Sequence, residues 1–133
     1  MLELAAIEMI LGIGMDLADV SRIETEISER GEGYASEMLL PSELAYCRER
    51  RRPGPFYAAR FAAKGALFKA LGAGEAGPVP WHDVEVVHDE RGKPSLVLSG
   101  ETMRRAGEMG VKSVHVSLTH LEGYAAAVVC LEG

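Results

Sequence analysis

The sequence predicts a single α+β domain with a largely antiparallel sheet packed on one long helix. Three observations point there. The stretch from Phe56 to Leu71 carries an unbroken helical signal closed by Gly72. Residues 84–98 read as a hairpin, and the end of the chain alternates and then turns continuously apolar, as strands do. At 133 residues, with 47% hydrophobic and 26% charged content, the chain suits one compact domain with a modest core.

The elements follow in order. Met9 to Gly14 (MILGIG) reads as a short buried strand closed by glycines. Met9 marks a second start, so residues 1–8 read as an N-terminal extension and residues 9–133 as the domain. Asp19 to Arg30 is helical, with Val20, Ile23 and Ile27 forming one apolar face. Gly31 and Gly33 end it. Ser42, after Pro41, is the expected N-cap of a helix running to about Arg51, and Pro53-Gly54-Pro55 breaks the chain.

The long helix projects Ala59, Ala62, Ala63, Ala66, Leu67 and Ala70 on one half. Arg60, Lys64, Lys69 and the rings Tyr57, Phe61 and Phe68 fall on the other. After a Gly/Pro-rich loop, Val84–Val87 and Ser95–Leu98 pair around Asp89-Glu90-Arg91-Gly92. A helix over Glu101–Met109 ends at Gly110. Ser113–Leu118 alternates, and Tyr124–Leu131 is apolar enough for a central strand.

Charge narrows the function. Fourteen basic residues face twenty acidic ones, for a formal net charge of -6, which argues against a nucleic-acid partner. Yet Arg48, Arg50, Arg51, Arg52, Arg60, Lys64 and Lys69 supply half of the cations within a short stretch, a pattern suited to a small anionic ligand. No apolar run approaches the ~20 residues that cross a bilayer, so no membrane role is expected. Met1 to Leu11 lacks the basic start of a secretory signal. Cys47 and Cys130 match no metal spacing and read as free thiols of a cytoplasmic protein.

Asp16, next to a glycine turn, fits either a helix cap or a ligand to a hard cation. Arg60 and Lys64, four apart on one helical face, fit either a solvated surface or a grip on two polyphosphate oxygens, with Arg52 reaching a third. The neighbouring rings favour a base or an oligomer contact over bare solvent. His115 and Ser117 sit on the polar face of a strand, followed by Thr119 and His120.

Four segments in this order resemble the small trimeric holo-acyl-carrier-protein synthases, a family of 4′-phosphopantetheinyl transferases. They are GIGMDLADVSRIE (12–24), ARFAAKGALFKALGAG (59–74), DVEVVHDERGKPSLVLSG (83–100) and HVSLTHLEGYAAAVV (115–129). The resemblance covers nearly everything from Met9 onward. It implies Mg²⁺-dependent transfer of the 4′-phosphopantetheine arm of coenzyme A to a serine of an apo acyl carrier protein, releasing adenosine 3′,5′-bisphosphate.

Carried over by position, it makes Asp16 the magnesium ligand and Asp16 and Lys64 the catalytic pair. Arg52, Arg60, Lys64 and Lys69 would surround the coenzyme A phosphates. Gly92, Lys93 and Pro94 would border the nucleotide, and His115 would reach a phosphate from the adjacent subunit of a homotrimer. Arg22 would meet the carrier.

Two departures stand out. Where the family has a second metal-binding glutamate, this chain has Gly65, which implies weaker metal binding and slower transfer. The alternative is a degenerate homologue that binds coenzyme A or a carrier without efficient transfer. Glu75 and Glu122 are candidate replacements for the missing carboxylate. The first helix is also acidic, with Asp19, Glu24, Glu26 and Glu29 against Arg22 and Arg30, although the expected carrier is itself acidic.

Overall fold

A computed structural model describes residues 7–72 and 78–133. Most of the postulated extension and Glu75 lie outside the described residues. The elements are β1 (Ile10–Asp19), α1 (Val20–Arg30), α2 (Glu32–Met38), α3 (Pro41–Arg48), α4 (Gly54–Ala70), β2 (Val84–His88), β3 (Pro94–Leu98), α5 (Gly100–Met109), β4 (Ser113–His120) and β5 (Tyr124–Glu132), with a 3-10 turn at Trp81–Asp83. All pairing is antiparallel, but it divides into two sheets: β1-β5-β4, with β5 central as expected, and the hairpin β2-β3.

β1 is the largest departure from expectation. It does not close at its glycines but runs on to Asp19, so Asp16 sits inside a strand, opposite Ala127. The glycines serve close approach instead. A Cβ at Gly12 would lie 2.2 Å from the Ala70 carbonyl oxygen, and one at Gly14 would lie 1.9 Å from that of Ala66. Only a strand without side chains at these two positions can lie so close to α4. The cap role belongs to Asp19, whose Oδ1 accepts the Arg22 backbone N–H at 3.2 Å to open α1.

Helix α4 is enclosed on nearly every side, so its expected two-faced character is absent. Its alanines pack under β1 and β5, while Tyr57, Phe61 and Phe68 are core residues rather than an open platform. Pro53 caps it and Pro55 lies in its first turn, so the expected break is the start of the helix. Gly31, at φ 76°, ends α1 but leads directly into α2, a helix the sequence reading lacks. Ser42 does not cap α3: Leu40 does, and the Glu43 carboxylate accepts the Leu40 N–H at 2.8 Å.

Burial of α4 carries Lys64 into the core, fully buried against an equally buried Glu43. Lys64 Nζ donates to Glu43 Oε1 at 2.7 Å, to the Met38 carbonyl at 2.8 Å and to the Trp81 carbonyl at 3.1 Å. Glu43 Oε2 accepts the Val86 N–H at 2.9 Å. Desolvation lowers the Lys64 pKa from the usual lysine value, opposed by the attraction of Glu43. One pair thus ties the end of α2, the start of α3, α4, the 3-10 turn and β2.

Both cysteines are free, as expected, and burial pushes the Cys47 thiol up to about 11. Its thiolate fraction at pH 8 is therefore on the order of one in a thousand. Cys47 should resist iodoacetamide at pH 8 in the native protein and react fully in urea, as peptide mass mapping would report. Glu43→Gln, which leaves a buried ammonium unpaired, should destabilise the fold by about 3–5 kcal/mol in urea titrations, and adding Lys64→Met should recover most of that loss.

Candidate active site

Two groups of predicted site residues form in the structure. The first stands where β1 crosses α4. Asp16 Oδ1 accepts Lys69 Nζ at 3.0 Å, and the same ammonium donates to the Met15 carbonyl at 3.1 Å. Lys69 remains 59% exposed and Asp16 31%, so the pair opens to solvent. The other carboxylate oxygen of Asp16 lies over Gly65, where an added Cβ would stand 2.0 Å away. Asp16 also borders a groove of about 290 Å³ walled by Tyr34, Met38, Phe61 and Trp81, with Arg22, Glu26 and Arg30 of α1 along it.

The second group gathers on Arg60. Its side chain is nearly fully buried, with the guanidinium 4.2 Å from the Tyr46 ring centre. Arg50 lies 4.0 Å from the same ring, and the His88 ring stacks on it with centroids 5.1 Å apart. Arg60 contacts the Phe56 carbonyl at 3.3 Å and His88 Nδ1 at 3.5 Å, and its Nε is buried without a partner among the described residues. Burial first, then the charges of Arg60 and Arg50, lowers the His88 pKa and so favours the neutral imidazole.

Gly92, Lys93 and Pro94 adjoin this group. Asp89 Oδ1 accepts the Arg91 and Lys93 N–H groups, Gly92 takes φ 82°, and Pro94 pairs with His88. A cavity of about 330 Å³ lies beside Arg60, Tyr46 and His88. The sequence reading missed Tyr46 and His88. Their signal was present only as a ring two residues before the arginine run and a histidine at a strand end.

Lys64 requires a correction. It was expected at the phosphates as a catalytic residue, but all three of its N–H groups are spent inside the core. The lysine that stands beside Asp16 is Lys69. Arg52 is latched to Glu24 by two contacts of 3.2 and 3.0 Å and to the Glu122 carbonyl at 3.4 Å. His115 lies exposed on the outer sheet face, with Nε2 3.1 Å from Glu132 Oε1. Among the described residues, no hydrogen bond or ion pair joins Asp16 or Lys69 to Arg60, Arg52 or His115 within the protomer.

The donor set does not fit a resident magnesium ion. Asp16 is already neutralised by an ammonium, Glu26 is paired with Arg30 at 3.3 Å, and Glu122 stands 3.8 Å from Arg52. Among the described residues, no three His, Cys, Asp or Glu side chains gather as a metal would require.

This close-packed β1–α4 unit, flanked by a basic pocket, has known counterparts. The family model described as the 4′-phosphopantetheinyl transferase superfamily matches residues 12–129, and the chain belongs to that family. Within it, the similar full-length proteins are holo-[acyl-carrier-protein] synthases. The one from Vibrio cholerae serotype O1 (strain M66-2) is 42% identical over 93% of this chain and 98% of its own. That from Vibrio parahaemolyticus is 45% identical over 92% and 98%. The crystal structure of the Neisseria meningitidis synthase superposes with a TM-score of 0.83 at 33% identity, covering 94% of this chain and all of that one. The Helicobacter pylori synthase in complex with coenzyme A gives 0.77 at 28% identity, covering 90% and 98%.

The two ion pairs should separate in their effects on stability. Asp16→Asn breaks a half-exposed pair and should change unfolding free energy by less than about 1 kcal/mol. Urea titration beside Glu43→Gln would check this.

Proposed function

We propose that the chain transfers 4′-phosphopantetheine from coenzyme A to a serine of an apo acyl carrier protein. The observation that carries this reading is a match along nearly the whole chain to holo-[acyl-carrier-protein] synthases, some of them solved with coenzyme A. The serine Oγ attacks the phosphorus next to the pantetheine arm and loses its proton. The bond from that phosphorus to the bridging oxygen breaks, and adenosine 3′,5′-bisphosphate leaves. Such a reaction asks for positioning and neutralised charge rather than covalent help from the protein.

In this reading Lys69 faces the pyrophosphate, and Asp16 and the Met15 carbonyl hold its ammonium in place. Arg60, stacked on Tyr46 at the edge of the cavity, suits a phosphate or the adenine beside the Gly92-Lys93-Pro94 tip. No step is assigned to a protein-bound metal, because the residues present do not fit one.

The chain works as a homotrimer whose site is completed by a neighbour. Supporting this, the β1 side of the outer sheet face is apolar and exposed: Ile13, Met15 and Leu17 are 62%, 68% and 64% exposed. His115 stands exposed on that same face, beside Glu132, where it would meet an adjacent subunit's phosphates.

The carrier docks beside Arg22 at the groove. The acidity of α1 is partly neutralised there, because Glu24 is held by Arg52 and Glu26 by Arg30. Among the described residues no helix is long and apolar enough to cross a membrane.

Incubating the protein with coenzyme A, Mg²⁺ and an apo acyl carrier protein should add one phosphopantetheine mass to the carrier by intact-mass spectrometry. No gain with several carriers, despite measurable coenzyme A binding, would favour the degenerate homologue that Gly65 suggests. Light scattering should give three times the chain mass, and Met15→Glu should lower it to one and reduce transfer at least tenfold.

A further inference from the structure

Gly65, where the resemblance implies a glutamate, leaves no gap. A Cβ there would meet Asp16 Oδ2 at 2.0 Å and Cγ at 3.0 Å, so the Asp16 carboxylate fills the room that a side chain would need. Its other oxygen holds the Lys69 ammonium at 3.0 Å. The centre therefore carries one negative and one positive charge at contact distance. A divalent cation binding here would have to displace that ammonium and find its remaining ligands among waters, while Mg²⁺ sites ordinarily combine carboxylates with substrate phosphates. Among the described residues, the nearby carboxylates are committed elsewhere: Glu26 to Arg30, Glu24 to Arg52, and Glu43 to Lys64.

We infer that this chain holds no resident divalent cation at Asp16 and that the Lys69 ammonium takes the cation's place, an arrangement made possible by Gly65. Any divalent ion in the reaction then enters on the substrate's own phosphates. The assignment of Lys69 to the pyrophosphate rests on the transferase reading. The absence of a resident cation site rests on the Asp16–Lys69–Gly65 geometry alone.

The test uses the full chain without coenzyme A or carrier, so its outcome is independent of whether the protein is an active transferase. Free Mn²⁺ gives an electron paramagnetic resonance signal that protein binding suppresses. The unaltered protein, in excess over Mn²⁺, should leave the signal essentially unchanged. Gly65→Glu should suppress it, with binding tighter on the order of tenfold or more, since a second carboxylate raises ligand charge. The clash at the new Cβ is with the end of the Asp16 side chain, which can swing aside.

Lys69→Gln, which leaves the helix packing untouched, should by itself tighten Mn²⁺ binding several-fold by freeing Asp16. It keeps the test open if Gly65→Glu fails to fold. Suppression by the unaltered protein at one Mn²⁺ per protomer, lost in Asp16→Asn, would overturn the inference. Unchanged binding in Lys69→Gln would overturn the role given to the ammonium, and no gain in a folded Gly65→Glu would overturn the role given to Gly65.

Discussion

The Lys64–Glu43 pair, sealed in the core, is the constraint around which the rest of the molecule is arranged. A buried ammonium is tolerable only when every N–H finds an acceptor and its charge finds a partner. Here the acceptors come from three segments distant in sequence: the end of α2, the first turn of α3 and the turn before β2. Glu43 in turn holds the Leu40 and Val86 N–H groups. Once this network is satisfied, α4 has a fixed rotation about its axis. That rotation sets which of its side chains look out toward the groove and which toward the Tyr46 platform.

The second constraint is the closeness of β1 to α4. Gly12 and Gly14 let the strand backbone rest against the helix at Ala66 and Ala70, and Asp16, two residues on, lands on Gly65. Lys69, one turn further along α4, meets it from the side. Two consecutive even-numbered glycines and one helical glycine thus place a carboxylate and an ammonium together without any loop. The odd-numbered residues of β1 are thereby driven to the opposite face, where Ile13, Met15 and Leu17 stand exposed.

Much of this was legible in the sequence. Alternation and apolar runs identified the hairpin, β4 and the central β5, while the four family-like segments pointed to Asp16, Arg60, Lys64 and Lys69 alike. Other parts were hidden for physical reasons. A glycine in a strand and a glycine in a turn look the same until the helix opposite is known, so β1 was read too short. Helix α2 is only seven residues long and begins behind Gly31, so no periodicity could develop.

Helix α4 is buried on nearly every side, which defeats a two-faced projection, and nothing local distinguishes Lys64 from Lys69. Their difference comes from Glu43, 21 residues away. The acidity of α1 is further offset by Arg52, whose pairing with Glu24 is visible only in three dimensions.

The account divides the two lysines of α4 between structure and chemistry, and one comparison tests that division most directly. Phosphopantetheine transfer to an apo carrier would be measured by intact mass for Lys69→Met and for the double variant Lys64→Met/Glu43→Gln, each normalised to folded protein. The account predicts that Lys69→Met loses transfer by about a hundredfold or more, consistent with removal of a charge-stabilising group, while the folded double variant keeps most of it. Loss of transfer in the folded double variant, with activity retained in Lys69→Met, would contradict it.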